Sequence, residues 1–170
     1  MQVNYKKFEK ALKKLGEDKP IETLSVEDIL ELHNLAIEYF GGEAGVRDKN
    51  LLESVAVTPA QSCFGQDLYP TVFDKAAKYL LDFSRYQVFV DGNKRTGVLA
   101  MQEELISNGY DLVMTNERVY ELTLDIANNR VTEVNDIADV LREHSVFYDP
   151  EKTSEDLIEE AEKAEEDKTL

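Results

Sequence analysis

The residues best suited to chemistry stand together in Gln87-Val88-Phe89-Val90-Asp91-Gly92-Asn93-Lys94-Arg95-Thr96-Gly97. A carboxylate and a glycine run directly into a helix start. Such a start leaves its first-turn amides unpaired, and together with the helix dipole they amount to about half a positive charge, which draws anions. Lys94 and Arg95 add formal charges, and Asp91 stands where a carboxylate could share Mg²⁺ with a phosphate, because that ion favours one or two carboxylates plus substrate oxygens. This is the chemistry of phosphate binding. The same residues also read as an Asp-Gly helix cap followed by solvated cations. The pattern is not a P-loop, because Gly-x-x-x-x-Gly-Lys-[Ser/Thr] is absent from the sequence.

The surrounding chain reads as helices. Ser25 caps a helix whose stripe is Ile29, Leu32, His33, Ala36 and Phe40, and Gly41-Gly42 ends it. Asp48 caps a short helix carrying Leu51, Leu52, Val55 and Ala56, closed off by Pro59. Gln61 to Pro70 reads as a loop, with Tyr69-Pro70 fixing the turn into a third helix through Phe73, Ala76, Ala77, Leu80 and Leu81. A fourth helix is expected over about Asn93 to Asn108, stopped by Gly109, and two more over about Asn116 to Ala127 and Asn135 to His144. No segment alternates β-branched residues over strand length, so the expected fold is a compact all-α domain.

Composition narrows the function classes. The chain has 170 residues, 42% hydrophobic and 32% charged, which suits one globular domain. No run approaches the roughly 18 apolar residues of a membrane span, and the N-terminus lacks a secretory pattern, so no membrane partner and a cytoplasmic location are expected. A single cysteine, Cys63, excludes an internal disulfide framework. The formal net charge of −16 argues against direct binding to nucleic acid, whose phosphates reward clustered Lys and Arg. Charge is also uneven: residues 1 to 20 read as a basic helical extension, 21 to 149 as the domain, and 150 to 170 as an acidic, solvated tail.

The stretch Phe89-Val90-Asp91-Gly92-Asn93-Lys94-Arg95-Thr96 resembles the signature of the Fic/Doc family, His-x-Phe-x-Asp-Gly-Asn-Lys-Arg-Thr. Gly41-Gly42-Glu43-Ala44-Gly45-Val46-Arg47-Asp48, Leu51-Leu52-Glu53-Ser54 and Asp67-Leu68-Tyr69-Pro70 are similar to further landmarks of its death-on-curing (Doc) branch. The resemblance implies a helical Fic fold with a short flap loop or hairpin within Gln61 to Pro70 that clamps the target's main chain. It implies ATP and Mg²⁺ as cofactors, with Asp91 holding the metal. Gly92, Asn93, Lys94, Arg95 and Thr96 would form the nucleotide site, Lys94 and Arg95 meeting phosphates and Thr96 supporting the helix start. Doc-like proteins resemble kinases that phosphorylate a threonine of elongation factor Tu and arrest translation, with an antitoxin on a separate chain. Members that transfer AMP usually carry Gly in place of Lys94 and Arg in place of Val98, so both residues point to the Doc branch.

One position departs from the signature. Gln87 stands where the family has its His, which takes the proton from the target hydroxyl; an amide has no proton affinity near neutral pH. Catalysis by Gln87, Asp91, Lys94 and Arg95 is therefore expected to be weak or absent. A nucleotide- or partner-binding module without transfer is the alternative, and protein AMP transfer the third reading. His33 and His144 lie on apolar helix faces and read as structural, Cys63 as a small apolar filler, and Arg47-Asp48 as a cap with an ion pair.

Overall fold

The computed structural model describes residues 23–147, together with Asp156, Ile158, Glu159 and Lys163. The expected extension over 1 to 20, and the acidic tail over 150 to 170 apart from those four residues, lie outside the described residues. Six helices carry the domain: α1 (Val26–Phe40), α2 (Lys49–Val57), α3 (Val72–Arg85), α4 (Asn93–Ser107), α5 (Asn116–Ala127) and α6 (Val134–Glu143). Among the described residues no helix is long and apolar enough to cross a membrane.

Local chemistry sets the helix ends. Ser25 and Asp28 form a reciprocal capping box at α1, and Thr71 and Asp74 form another at α3. Asp48 accepts from Leu51 N at 3.0 Å to start α2. The ion pair expected between Arg47 and Asp48 does not form; both backbone amides instead donate to Val88 O, at 2.8 and 3.1 Å. Gly109, at φ +86°, follows α4 in the left-handed conformation that stops a helix.

The absence of strands expected from the sequence holds only in the large. Two short antiparallel ribbons are present, β1 (Ser62–Cys63) with β2 (Gln66–Asp67), and β3 (Tyr110–Leu112) with β4 (Ser145–Phe147). Strands of two or three residues carry too little alternation to be read from sequence. The first ribbon makes the flap segment a hairpin, turning at Phe64 (φ +51°) and Gly65 (φ +78°), the positive pair of a type I′ turn. Phe64 is fully exposed at its tip.

Helix α4 is the axle of the domain. It packs on α3 and α1, and its residues enter both hydrophobic clusters: Leu99 and Ala100 join Ile29, Leu32, Tyr79, Phe83 and Phe89, while Met101 and Leu105 join Phe73, Leu80, Ile126 and Leu141. The α3–α4 contact is close enough to require glycine at position 97, where an added Cβ would lie 2.8 Å from Phe83 Cβ. Gly97→Ala is expected to destabilise the domain by about 1–2 kcal/mol, the overpacking penalty less the helix-propensity gain, measurable by urea unfolding.

Candidate functional site

The segment singled out by residue type forms the turn into the buried α4. The loop over residues 41–48 straps it in place: Val90 N donates to Gly45 O at 2.9 Å, Val46 bridges Phe89, and the Arg47 and Asp48 amides hold Val88 O. Buried Val88 and Phe89 anchor the stretch in the core. The turn thus rests on a packed support, as a site that must keep its geometry requires.

Asn93 organises the turn from inside. Its Oδ1 accepts from Phe89 N at 2.8 Å, and its Nδ2 donates to Phe89 O at 3.0 Å and to Gln87 Oε1 at 3.2 Å. The side chain is buried and spent on the loop. Thr96 is fully buried beneath the turn, its hydroxyl donating to Gly92 O at 3.0 Å. Gly92 occupies the left-handed region at φ +76° as N-cap, and no side chain caps the helix start. The first-turn amides of a fifteen-residue helix therefore remain open to an external anion.

The charged residues surround that opening unequally. Lys94 is exposed and projects at the first turn. Arg95 is engaged by the protein, donating to Gly41 O and lying 3.4 Å from Asp91 Oδ1. The latter pair is largely solvated and contributes little stability. Asp91 is exposed, and its carboxyl sits below the usual range, first because Gly92 N–H donates to it at 2.6 Å and also because Arg95 and the Glu43 N–H lie close. An ionised, solvent-facing carboxylate beside an open helix start suits one protein ligand of Mg²⁺ shared with phosphate oxygens. Gly42 lines the same corner: at φ +120°, an added Cβ would lie 2.4 Å from Asp91 Oδ2. Gln87 is exposed at the edge, its amide oxygen turned toward Asn93.

The Fic/DOC family profile matches residues 23–105, the segment that holds this turn and the strap around it. A toxin Doc of Mycolicibacterium smegmatis is 42% identical over 91 residues, spanning 54% of this chain and 68% of that protein. The chain belongs to the Fic/Doc family. A protein kinase doc of Escherichia phage P1 is 29% identical over 119 residues, 70% of this chain and 92% of that protein, and the two relatives place the chain in the Doc branch. The mostly helical architecture agrees with the Fic fold expected from the signature.

Within this Fic/Doc domain the structure brings Gln87, Asp91, Gly92, Asn93, Lys94, Arg95 and Thr96 into one turn, with different tasks. Asp91, Lys94 and the α4 amides face outward, while Asn93 and Thr96 hold the turn together. Sequence reasoning passed over the Gly41 carbonyl that receives Arg95 and the Glu43 amide that meets Asp91, and it read His33 as structural without its partner Thr96 beneath the turn. The first two lie about fifty residues from their partners, and no local signal marks such pairings. His144, by contrast, is the structural residue expected, with Nδ1 at 2.9 Å from Val140 O.

Proposed function

We propose that this chain is a Doc-type toxin, held in check by an antitoxin on a separate chain, whose site takes Mg·ATP and phosphorylates a hydroxyl on a target protein such as elongation factor Tu. The observation that carries this reading is the uncapped start of α4 beside an ionised Asp91 and an exposed Lys94. The names of the two relatives, a toxin and a protein kinase, support it.

Bound Mg·ATP would supply the phosphoryl group and the metal charge that phosphoryl transfer needs. The chain's own part is placement: the α4 amides and Lys94 would hold phosphate oxygens, Asp91 would hold the metal, and Arg95, anchored on Gly41 O, would add positive charge beside them. The hairpin tip at Phe64 offers an exposed aromatic to the incoming protein. Gln87 supplies no base, so transfer is slow. Positioning and charge stabilisation still contribute without it.

A second reading is a binding module that holds nucleotide without transferring anything. It is favoured by one contact, the hydrogen bond that fixes Gln87 to Asn93 as a purely structural amide. The intact mass of elongation factor Tu, incubated with this protein, Mg²⁺ and ATP beside the Gln87→His version, separates the readings. A phosphoryl gain is expected. An adenylyl gain would make the chain an AMP transferase, and nucleotide binding with no mass change from either version would leave the binding module.

A further inference from the structure

His33 is a buried titratable group that the proposed chemistry does not use, and it sits directly beneath the turn. It is 2% exposed on α1, and its Nδ1 lies 3.2 Å from Thr96 Oγ1. The single Thr96 hydroxyl proton goes to Gly92 O at 3.0 Å, so the Nδ1–H of His33 is the donor and Thr96 Oγ1 the acceptor, an assignment from the hydrogen-bond network. The ring also stacks flat on Phe89, centroids 3.8 Å apart and planes within 3°. An added Cβ at Gly92 would lie 3.2 Å from Ile37 Cδ1 and 3.6 Å from His33 Cε1. One imidazole thus touches two signature residues, Phe89 before the turn and Thr96 in the first helical turn, and fills the space a side chain at Gly92 would need.

We infer that His33 is the positioning residue of the phosphate-binding turn, its Nδ1–H fixing Thr96, and through it Gly92 O, so that the first α4 amides converge on one anion. The inference rests on the reading that this turn binds nucleotide phosphates. His33 never meets the ligand; it acts through Thr96 and Gly92. The neutral ring is the working form. Its Nε2 is buried without a hydrogen-bond partner, and burial, with Arg95 adding to it, holds the imidazole below its ordinary range. Of the charged groups acting on the ring, the turn presents the opposing charge of Asp91 and α4 presents Arg95.

Two substitutions separate the donor from the ring. In His33→Asn the amide Nδ2 stands near the place of Nδ1 and keeps a donor, but the stack on Phe89 is lost. His33→Phe keeps an aromatic ring of similar breadth and loses the donor. By calorimetry with Mg·ATP, the Phe variant is expected to bind about five- to tenfold more weakly, the worth of one hydrogen bond, while the Asn variant stays within about threefold of the parent. Thermal unfolding should rank them the other way, with the Asn variant less stable because its stack is gone. Affinity that instead follows stability, the Asn variant weaker than the Phe variant, would make His33 merely structural and overturn the inference.

Backbone amide NMR signals of residues 91–96 give a second readout that needs no nucleotide. The Phe variant should move them and the Asn variant should leave them close to the parent; the reverse pattern overturns the inference. If Mg·ATP binds none of the three proteins, the nucleotide reading fails, and the amide signals still decide whether His33 sets the turn.

Discussion

Gln87→His is expected to raise phosphoryl transfer to the target protein by about 10²–10⁴-fold, the usual contribution of a positioned general base. The expectation follows from the chemistry of the two side chains. An amide exchanges hydrogen bonds but does not hold a proton near neutral pH, whereas imidazole titrates close to it. The position tolerates the change. Gln87 is exposed at the rim of the turn, and its one side-chain hydrogen bond comes from Asn93 Nδ2, which also donates to Phe89 O at 3.0 Å and so keeps a partner. Nucleotide affinity should barely move, because the residues proposed to hold phosphate and metal are Asp91, Lys94, Arg95 and the α4 amides. The gain belongs in the transfer rate constant, not in the Michaelis constant for ATP. Equal transfer by the two proteins, each with its nucleotide bound, would show that no base acts at position 87.

The contrast between Gln87 and its neighbours also shows what a sequence can carry. The α4 ends were legible because Gly92, Asn93 and Gly109 are local signals, and Ser25 and Asp48 announced α1 and α2 in the same way. The residue types of the turn and their order were equally plain. Their division of labour was not. Asn93 and Lys94 are adjacent in sequence, yet the first turns inward to hold Phe89 while the second meets solvent, and only the packing of Val88 and Phe89 into the core decides which is which. His33 looked like any other apolar-face histidine because its meaning lies in Thr96, sixty-three residues on. The β3–β4 pairing joins Tyr110–Leu112 to Ser145–Phe147 across two helices, a long-range contact between segments too short to show a period. Local chemistry was readable, and contacts between distant segments were not.

A different consequence of burial appears at Glu104, on the opposite side of α4's work. This side chain is fully buried, and neither carboxyl oxygen has a hydrogen-bond partner among the described residues. Burial pushes the carboxyl up to about 8 from its ordinary 4.5, Lys75 drawing it back somewhat and Glu103 pushing it further up. At pH 7 the folded protein therefore keeps a proton that the unfolded chain has released, a cost on the order of 3 kcal/mol. The sign follows from the proton count: the folded state binds more protons, so the stabilising protonation is complete below the unfolded value of 4.5 and is lost as pH rises through about 8. Stability should fall across that window. Glu104→Gln removes the titration while keeping size and polarity. Urea unfolding at several pH values between 4.5 and 8 should show the variant near the parent at the acid end and more stable by about 3 kcal/mol or more at the alkaline end. A shallower decline should remain in the variant, because burial also raises Glu103 and Asp82. Parallel curves for the two proteins would mean that Glu104 is ionised in the fold and compensated by a partner, since a neutral carboxyl and an amide differ in this profile only through the proton.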